Sequence, residues 1–184
     1  MALSHRAMAV AVAALLLTGG VTGCSAFGND SDPASAAAGS ATGKAGVDNA
    51  TDTVANGTFA TPAAAGAKVD VGILGLKVSG RLATLNFQLT PRLPTGDQGA
   101  LSPYDLNGKH VLGTSLIDPV NLKRYVVVKD SRGRELATDD LFTKLTNNQP
   151  GHLNATFAAP PENVKSVDVQ IGSWPTFRNI PVER

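Results

Sequence analysis

Cysteine pairs, aromatic side chains, long apolar runs and a surplus of either charge are all scarce in this chain. Among 184 residues there are one cysteine, one tryptophan and two tyrosines, and the formal net charge is +1. A single cysteine excludes an internal disulfide framework, so a folded core has to hold without a cross-link. No methionine follows Met8, and three histidines are spread along the chain, so soft-metal ligation lacks a ligand set. The balanced charge gives no electrostatic footprint for nucleic acid. G-x-S-x-G, G-x-G-x-x-G and P-loop spacings are absent, so no cofactor is expected and a hydrolase is the remote alternative. Nothing after residue 17 reaches the roughly 20 apolar residues a membrane span needs.

The first 24 residues have three parts. Met1–Met8 carries His5 and Arg6, Ala7–Leu17 is apolar and uncharged, and Thr18–Cys24 is small and helix-breaking. The middle part has the length of a signal-peptide core. Val21-Thr22-Gly23-Cys24 resembles the bacterial lipobox, an aliphatic residue and two small ones before cysteine. That resemblance implies cleavage before Cys24 and diacylglyceryl attachment to its thiol. Arg6 stands alone, which does not support twin-arginine export. The expectation is a signal peptide over 1–23 and a chain held by lipid at the extracytoplasmic face of a cell membrane. Lipidation also removes the hazard of an unpaired thiol in an exported protein.

From 24 to 67 the composition is Ala, Gly, Ser, Thr and Asp, with almost no large apolar residues. Such a stretch buries too little surface to offset the entropy of ordering and is expected to be a disordered tether. At 5–6 Å × √n its root-mean-square span is about 35 Å.

Residues 68–184 have the length of one domain. Ala83, Leu85, Phe87 and Leu89 alternate with Thr84, Asn86 and Gln88. Leu153, Ala155 and Phe157 alternate with His152, Asn154 and Thr156, and Val167, Val169 and Ile171 with Ser166, Asp168 and Gln170. This period of two predicts strands with one buried face. Strands are expected over 68–79, 81–90, 109–117, 122–129, 134–138, 152–157 and 165–172, and "FRNIPV" as an edge strand confined there by Pro181. "DDLFTKL" is expected to make one turn with Leu141 and Leu145 inward. The fold class is all-β, an immunoglobulin-like antiparallel sandwich.

"LIDPVNLKRYVVVKDSRGRELAT" and "HLNATFAAPPENVKSVDVQIGSWPTFRNIPV" carry D-x-x-N-x-K-x-Y, D-x-x-G, A-x-F-x-A-P-P and F-R-x-I/V-P motifs. They resemble a telokin-like, immunoglobulin-like domain of actinobacterial envelope lipoproteins and of the front part of some OmpA-family proteins. The two cysteines that often follow the D-x-x-G turn in those relatives are missing, and "ELAT" stands there. The resemblance implies no catalytic residues.

Candidate interaction residues fall in three places. Lys123, Arg124, Lys129, Arg132 and Arg134 crowd one expected hairpin around Tyr125. They suit anionic wall polymer or lipid headgroups, or simply guard a sheet edge against association. Trp174, Phe177 and Arg178 form either a binding hot spot or a cap over the end of the sandwich. Tyr104, with Leu101 and Leu106, is placed to hold the long 90–109 loop. Asp130 and Asp139 are expected to cap turns. Asp118 beside Asp139 and Asp140 is the alternative carboxylate cluster, without EF-hand spacing. His110 and His152 are expected to be polar surface. The functional expectation is a non-enzymatic module binding another envelope protein through the 90–109 loop and one sheet edge. Wall-polymer binding through the basic hairpin is the alternative.

Overall fold

The computed structural model describes residues 52–94 and 99–184; the expected signal peptide, Cys24 and the expected tether up to residue 51 lie outside the described residues. Strands dominate: β1 (Ala55–Ala60), β2 (Lys68–Ser79), β3 (Leu82–Arg92), β4 (Ser115–Asp118), β5 (Lys123–Val126), β6 (Gly151–Ala158), β7 (Ser166–Gln170) and β8 (Phe177–Glu183), with one short helix, α1 (Pro103–Leu106). The all-β class read from the alternation holds.

β2 organises the first half. Val69, Val71 and Ile73 are buried, and after a bulge between Ile73 and Gly75 the inward position passes to Leu76. An extra residue in one strand moves its inward side by one position. The phase change is visible in the sequence, where apolar residues sit at odd numbers before the bulge and at even numbers after it. One edge of β2 pairs along its length with β3, which pairs in turn with β6. Its other edge is shared. β1 pairs antiparallel with Lys68–Ile73, and β8 pairs parallel with Leu76 and Lys77.

The second half is the antiparallel run β5-β4-β7-β8. Val127 and Ala137 then bridge to Phe157 and Ala155 on the free edge of β6. The eight-stranded sheet thereby curls around one core, in which Phe87, Phe157, Leu85, Leu116, Val169 and Ile180 are buried.

Several expectations are corrected. β1 lies inside the stretch read as tether, so the ordered chain begins before residue 68. Phe59 stacks edge-on against Phe177 at 5.8 Å, and the Thr61 hydroxyl donates to the Leu106 carbonyl. The strand expected over 109–117 is confined to Ser115–Asp118, because positive φ at Gly108 and Lys109 turns the chain first. Residues 134–138 make isolated bridges and no regular strand. β8 is an inner strand and not an edge. The Val182 N–H donates to Lys165 O at 2.9 Å, so the nitrogen of Pro181 faces away from β7, and pairing with β2 starts only at Val182. The missing donor of Pro181 costs no ladder bond.

The turn between β7 and β8 is held by two side-chain amides, the buried Asn107 and the half-buried Gln170. Asn107 donates through Nδ2 to His110 O (3.1 Å) and Val111 O (2.9 Å), and its Oδ1 accepts from the Ser173 N–H (2.9 Å) and hydroxyl (3.0 Å). Gln170 donates to Gly172 O and Trp174 O and accepts from Thr176. Gly172 sits at φ 55°, and a Cβ there would lie 2.7 Å from Asn107 Oδ1. Gly172→Ala is therefore expected to destabilise the domain by about 2 kcal/mol through left-handed strain and displacement of the Asn107 amide. Urea unfolding reads this, and an unchanged midpoint contradicts it.

Candidate functional site

A cleft of about 550 Å³ opens between residues 111–114 and 134–141, floored by Phe87 and Ala155. Val111, Leu136 and Leu141 are exposed around it among the charged Asp130, Arg134, Glu135 and Asp139, and Phe142, 78% exposed, follows Leu141 in the chain.

The turn after residue 138 sets this arrangement. Asp139 Oδ1 accepts from the N–H groups of Leu141 (2.8 Å) and Phe142 (2.9 Å), and Thr143 N–H donates to Asp139 O. This is the turn-capping role expected of Asp139, and it carries Leu141 outward. Only Leu145 goes inward, where it exchanges two backbone hydrogen bonds with Leu101. The expected inward Leu141 is thus corrected.

Asp140 ties the wall together. Its Oδ2 accepts from the Leu112 N–H at 2.7 Å, and its carbonyl accepts from the Tyr104 N–H at 3.0 Å. Tyr104 belongs to α1, which Ser102 starts with a capping box: Ser102 Oγ accepts from the Asp105 N–H, and the Asp105 carboxylate accepts from the Ser102 N–H and hydroxyl. The Ser102 backbone N–H and hydroxyl hold the Asp105 carboxyl below its ordinary value. Residues 99–109 of the long loop are therefore fixed against the domain, with Leu106 buried and Tyr104 half-buried; residues 95–98 lie outside the described residues.

Asp118 does not join Asp139 and Asp140. It is buried at the β4–β5 turn, where Oδ1 accepts from the Val120 and Asn121 N–H groups (3.0 Å each) and Oδ2 from Asn121 Nδ2 (2.7 Å). Among the described residues no group of three or more His, Cys, Asp and Glu converges as a metal site. The D-x-x-N-x-K-x-Y motif is thus a turn device. Tyr125 is half-buried and its hydroxyl has no hydrogen-bond partner. Burial and then the Asp118 charge push that phenol up.

The basic cluster divides in two. Lys123, Arg124 and Tyr125 lie on β5, with Arg124 Nε donating to Ser115 Oγ at 3.0 Å. Lys129, Arg132 and Arg134 belong to the following D-x-x-G turn. There Asp130 accepts from the Arg132 and Arg134 N–H groups and pairs with the Arg134 guanidinium at 2.8 Å, and Lys129 stands 3.7 Å from Glu135. Arg134 lines the cleft. Trp174 and Phe177 are buried in the core, so they serve as a cap and not as a surface; Arg178 beside them is exposed. His110 and His152 are exposed. Cys24 lies outside the described residues. Asn107 and Gln170 drew no notice in the sequence, although Asn107-Gly108 is itself a turn signal.

Compared with known proteins, the chain matches no family model, no curated protein and no solved structure.

Burial pushes the Asp140 carboxyl above its ordinary value against the pull of the Leu112 N–H, and the charges of Glu135 and Asp139 add to the rise. The folded state holds that proton more tightly than the unfolded chain does. The resulting stabilisation is present below pH 3.8 and is lost as pH rises through the raised value. Asp118 acts in the opposite direction. Burial would raise its carboxyl, but the hydrogen bonds from Asn121 and Val120 and the charge of Lys123 hold it low, so its stabilisation is lost as pH falls below 3.8. Asp140→Asn keeps an oxygen for the Leu112 N–H. Its urea midpoint is expected to gain on wild type as pH is raised from about 4 to about 7. A difference that stays constant over that range contradicts the assignment.

Proposed function

We propose that this chain is a lipoprotein of the bacterial cell envelope, held at the extracytoplasmic face of a membrane through an acylated Cys24. Its β domain acts as a non-enzymatic module that binds another envelope protein through the cleft beside α1. Support for the anchor comes from the apolar Ala7–Leu17 run and the Val21-Thr22-Gly23-Cys24 tetrapeptide. Two acyl chains on one cysteine give stable attachment where a single chain gives only marginal binding.

The observation that carries the binding reading is the grouping of Val111, Leu136 and Leu141, all exposed, around one cleft, with the exposed Phe142 next to Leu141 in the chain. Singly scattered apolar side chains need no explanation, but a grouped patch with a polar rim fits a protein-binding surface. The turn at Asp139 spends its carboxylate on presenting Leu141 and Phe142, and Asp130 is likewise committed to its own turn. Carboxylates engaged in this way support a binding role over acid–base chemistry.

Wall-polymer binding through the basic residues is the second reading. Lys123, Arg124 and Arg132 are exposed, but the charges of Arg134 and Lys129 are balanced by Asp130 and Glu135. Retention on purified envelopes separates the two. Val111→Ser, Leu141→Ser and Phe142→Ser together are expected to abolish retention while changing stability by no more than about 0.5 kcal/mol per site. Retention that survives those changes, falls steeply with salt and is lost with Lys123→Glu, Arg124→Glu and Arg132→Glu would instead establish the polymer reading.

A further inference from the structure

The chain enters the β domain from an end that carries a second surface, distinct from the cleft. Ala55 lies opposite Ile73 and Ala60 opposite Lys68, so the residues preceding β1 lead toward the Ser79 end of β2. The β4–β5 turn reaches the same end. Ile117 pairs with Asp168 near the start of β7, Ser166 pairs with Pro181, and Val182 pairs with Leu76.

The tip of that turn is built to show apolar side chains to its surroundings. Leu122 is 90% exposed and Val120 76% exposed, and Leu122 is held at φ 52°, a conformation leucine rarely adopts. The buried Asp118 carboxylate locks the turn in that state through its bonds to Val120 and Asn121. Leu82, at the β2–β3 turn of the same end, is also exposed. Arg81, Lys123 and Lys165 lie at this end, all exposed. Carboxylates toward this end include Asp52, Glu162 and Glu183, the last opposite Lys77, while Asp118 is engaged within the turn.

We propose that this end is a lipid-facing surface, in which Val120 and Leu122 enter the headgroup region of an anionic bilayer and Arg81, Lys123 and Lys165 meet its charge. The orientation rests on the anchor at Cys24 proposed above, because residues 52–54 enter β1 from this end of the domain. A tip with two exposed apolar side chains, at an end that also carries exposed cations, matches a membrane interface, where apolar area and basic groups add. The cleft lies beside the 111–114 and 134–141 segments and is left free for a partner.

The test uses the full acylated chain in phosphatidylglycerol-containing vesicles with a bimane probe on Leu122→Cys. Gln149→Cys is the control, at the opposite end where Asn148 N–H donates to Pro91 O. If Cys24 proves unmodified, alanine replaces it so that the probe remains unique. The tip probe is expected to shift to the blue and to be quenched by brominated lipid, more strongly than in phosphatidylcholine alone, while the control stays in water. With the probe moved to Val120→Cys, Leu122→Gly is expected to weaken tip insertion about tenfold. The same change is expected to raise Tm, because glycine suits the φ of 52°. Binding and stability moving in opposite directions separates lipid contact from a folding defect.

A tip probe that stays in water on membrane-bound, acylated protein overturns the surface and leaves the anchor standing. So does one shielded only when other envelope proteins are added. A bare Cys24 thiol by mass, with tip quenching retained, overturns the anchor and leaves the surface standing.

Discussion

Along the outer edge of β6, Thr156 accepts a hydrogen bond from the Val128 N–H and donates one to Leu136 O, and Asn154 accepts from the Thr138 N–H, each at 2.9 Å. These few bonds join the end of the strand path to its beginning. Without them β6 would present an open row of unpaired backbone groups, a template for association with another chain. With them the curled sheet has a continuous wall on this side, and the inner faces of β2, β3, β6, β4, β7 and β8 close on a single core. The opposite junction is equally narrow, two residues of parallel pairing between β2 and β8. The fold therefore consists of two antiparallel blocks meeting at two thin seams.

The cleft follows from the seam at β6. The 127–138 segment lies along that edge for only a few residues before the Asp139 turn leads it away, and the gap between this segment and 111–114 is the cleft. The apolar side chain of Leu141 at its mouth follows from the hydrogen bonds inside that turn, because the Asp139 carboxylate holds the backbone N–H groups of Leu141 and Phe142. The β4–β5 turn works on the same principle, with the buried Asp118 forcing Val120 and Leu122 outward. In both places an aspartate satisfies consecutive backbone N–H groups, and the strength of those bonds offsets the exposure of apolar side chains.

Where a strand alternates over five residues or more, the sequence was easy to read. β2, β3, β6 and β7 announce themselves by alternation, and the residues that alternation assigns to the inside are the buried ones. β1 escaped notice because "ANGTFA" pairs along one edge and contributes only Phe59 as a large apolar contact, so its composition resembles the tether before it. Leu141 was misplaced for a different reason. Apolar spacing suggests an inward direction, but a local carboxylate-to-backbone bond sets the actual one. Asn107 was illegible because its amide oxygen is taken by Ser173, 66 residues away, which no local pattern records. The partners of Gln170 are local, at Gly172, Trp174 and Thr176, but period-two alternation marks Gln170 only as an outward position. Trp174 was legible only as an alternative between cap and surface, and its burial takes it out of the exposed surface.

Hydrogen exchange at the seam tests this account most directly. The N–H groups of Val128, Thr156 and Thr138 are expected to exchange only with global unfolding, as slowly as those in the middle of β3, because opening them would release the wall of the core. Exchange of these three on the timescale of exposed loop amides, while β3 remains protected, would contradict a sheet closed along β6.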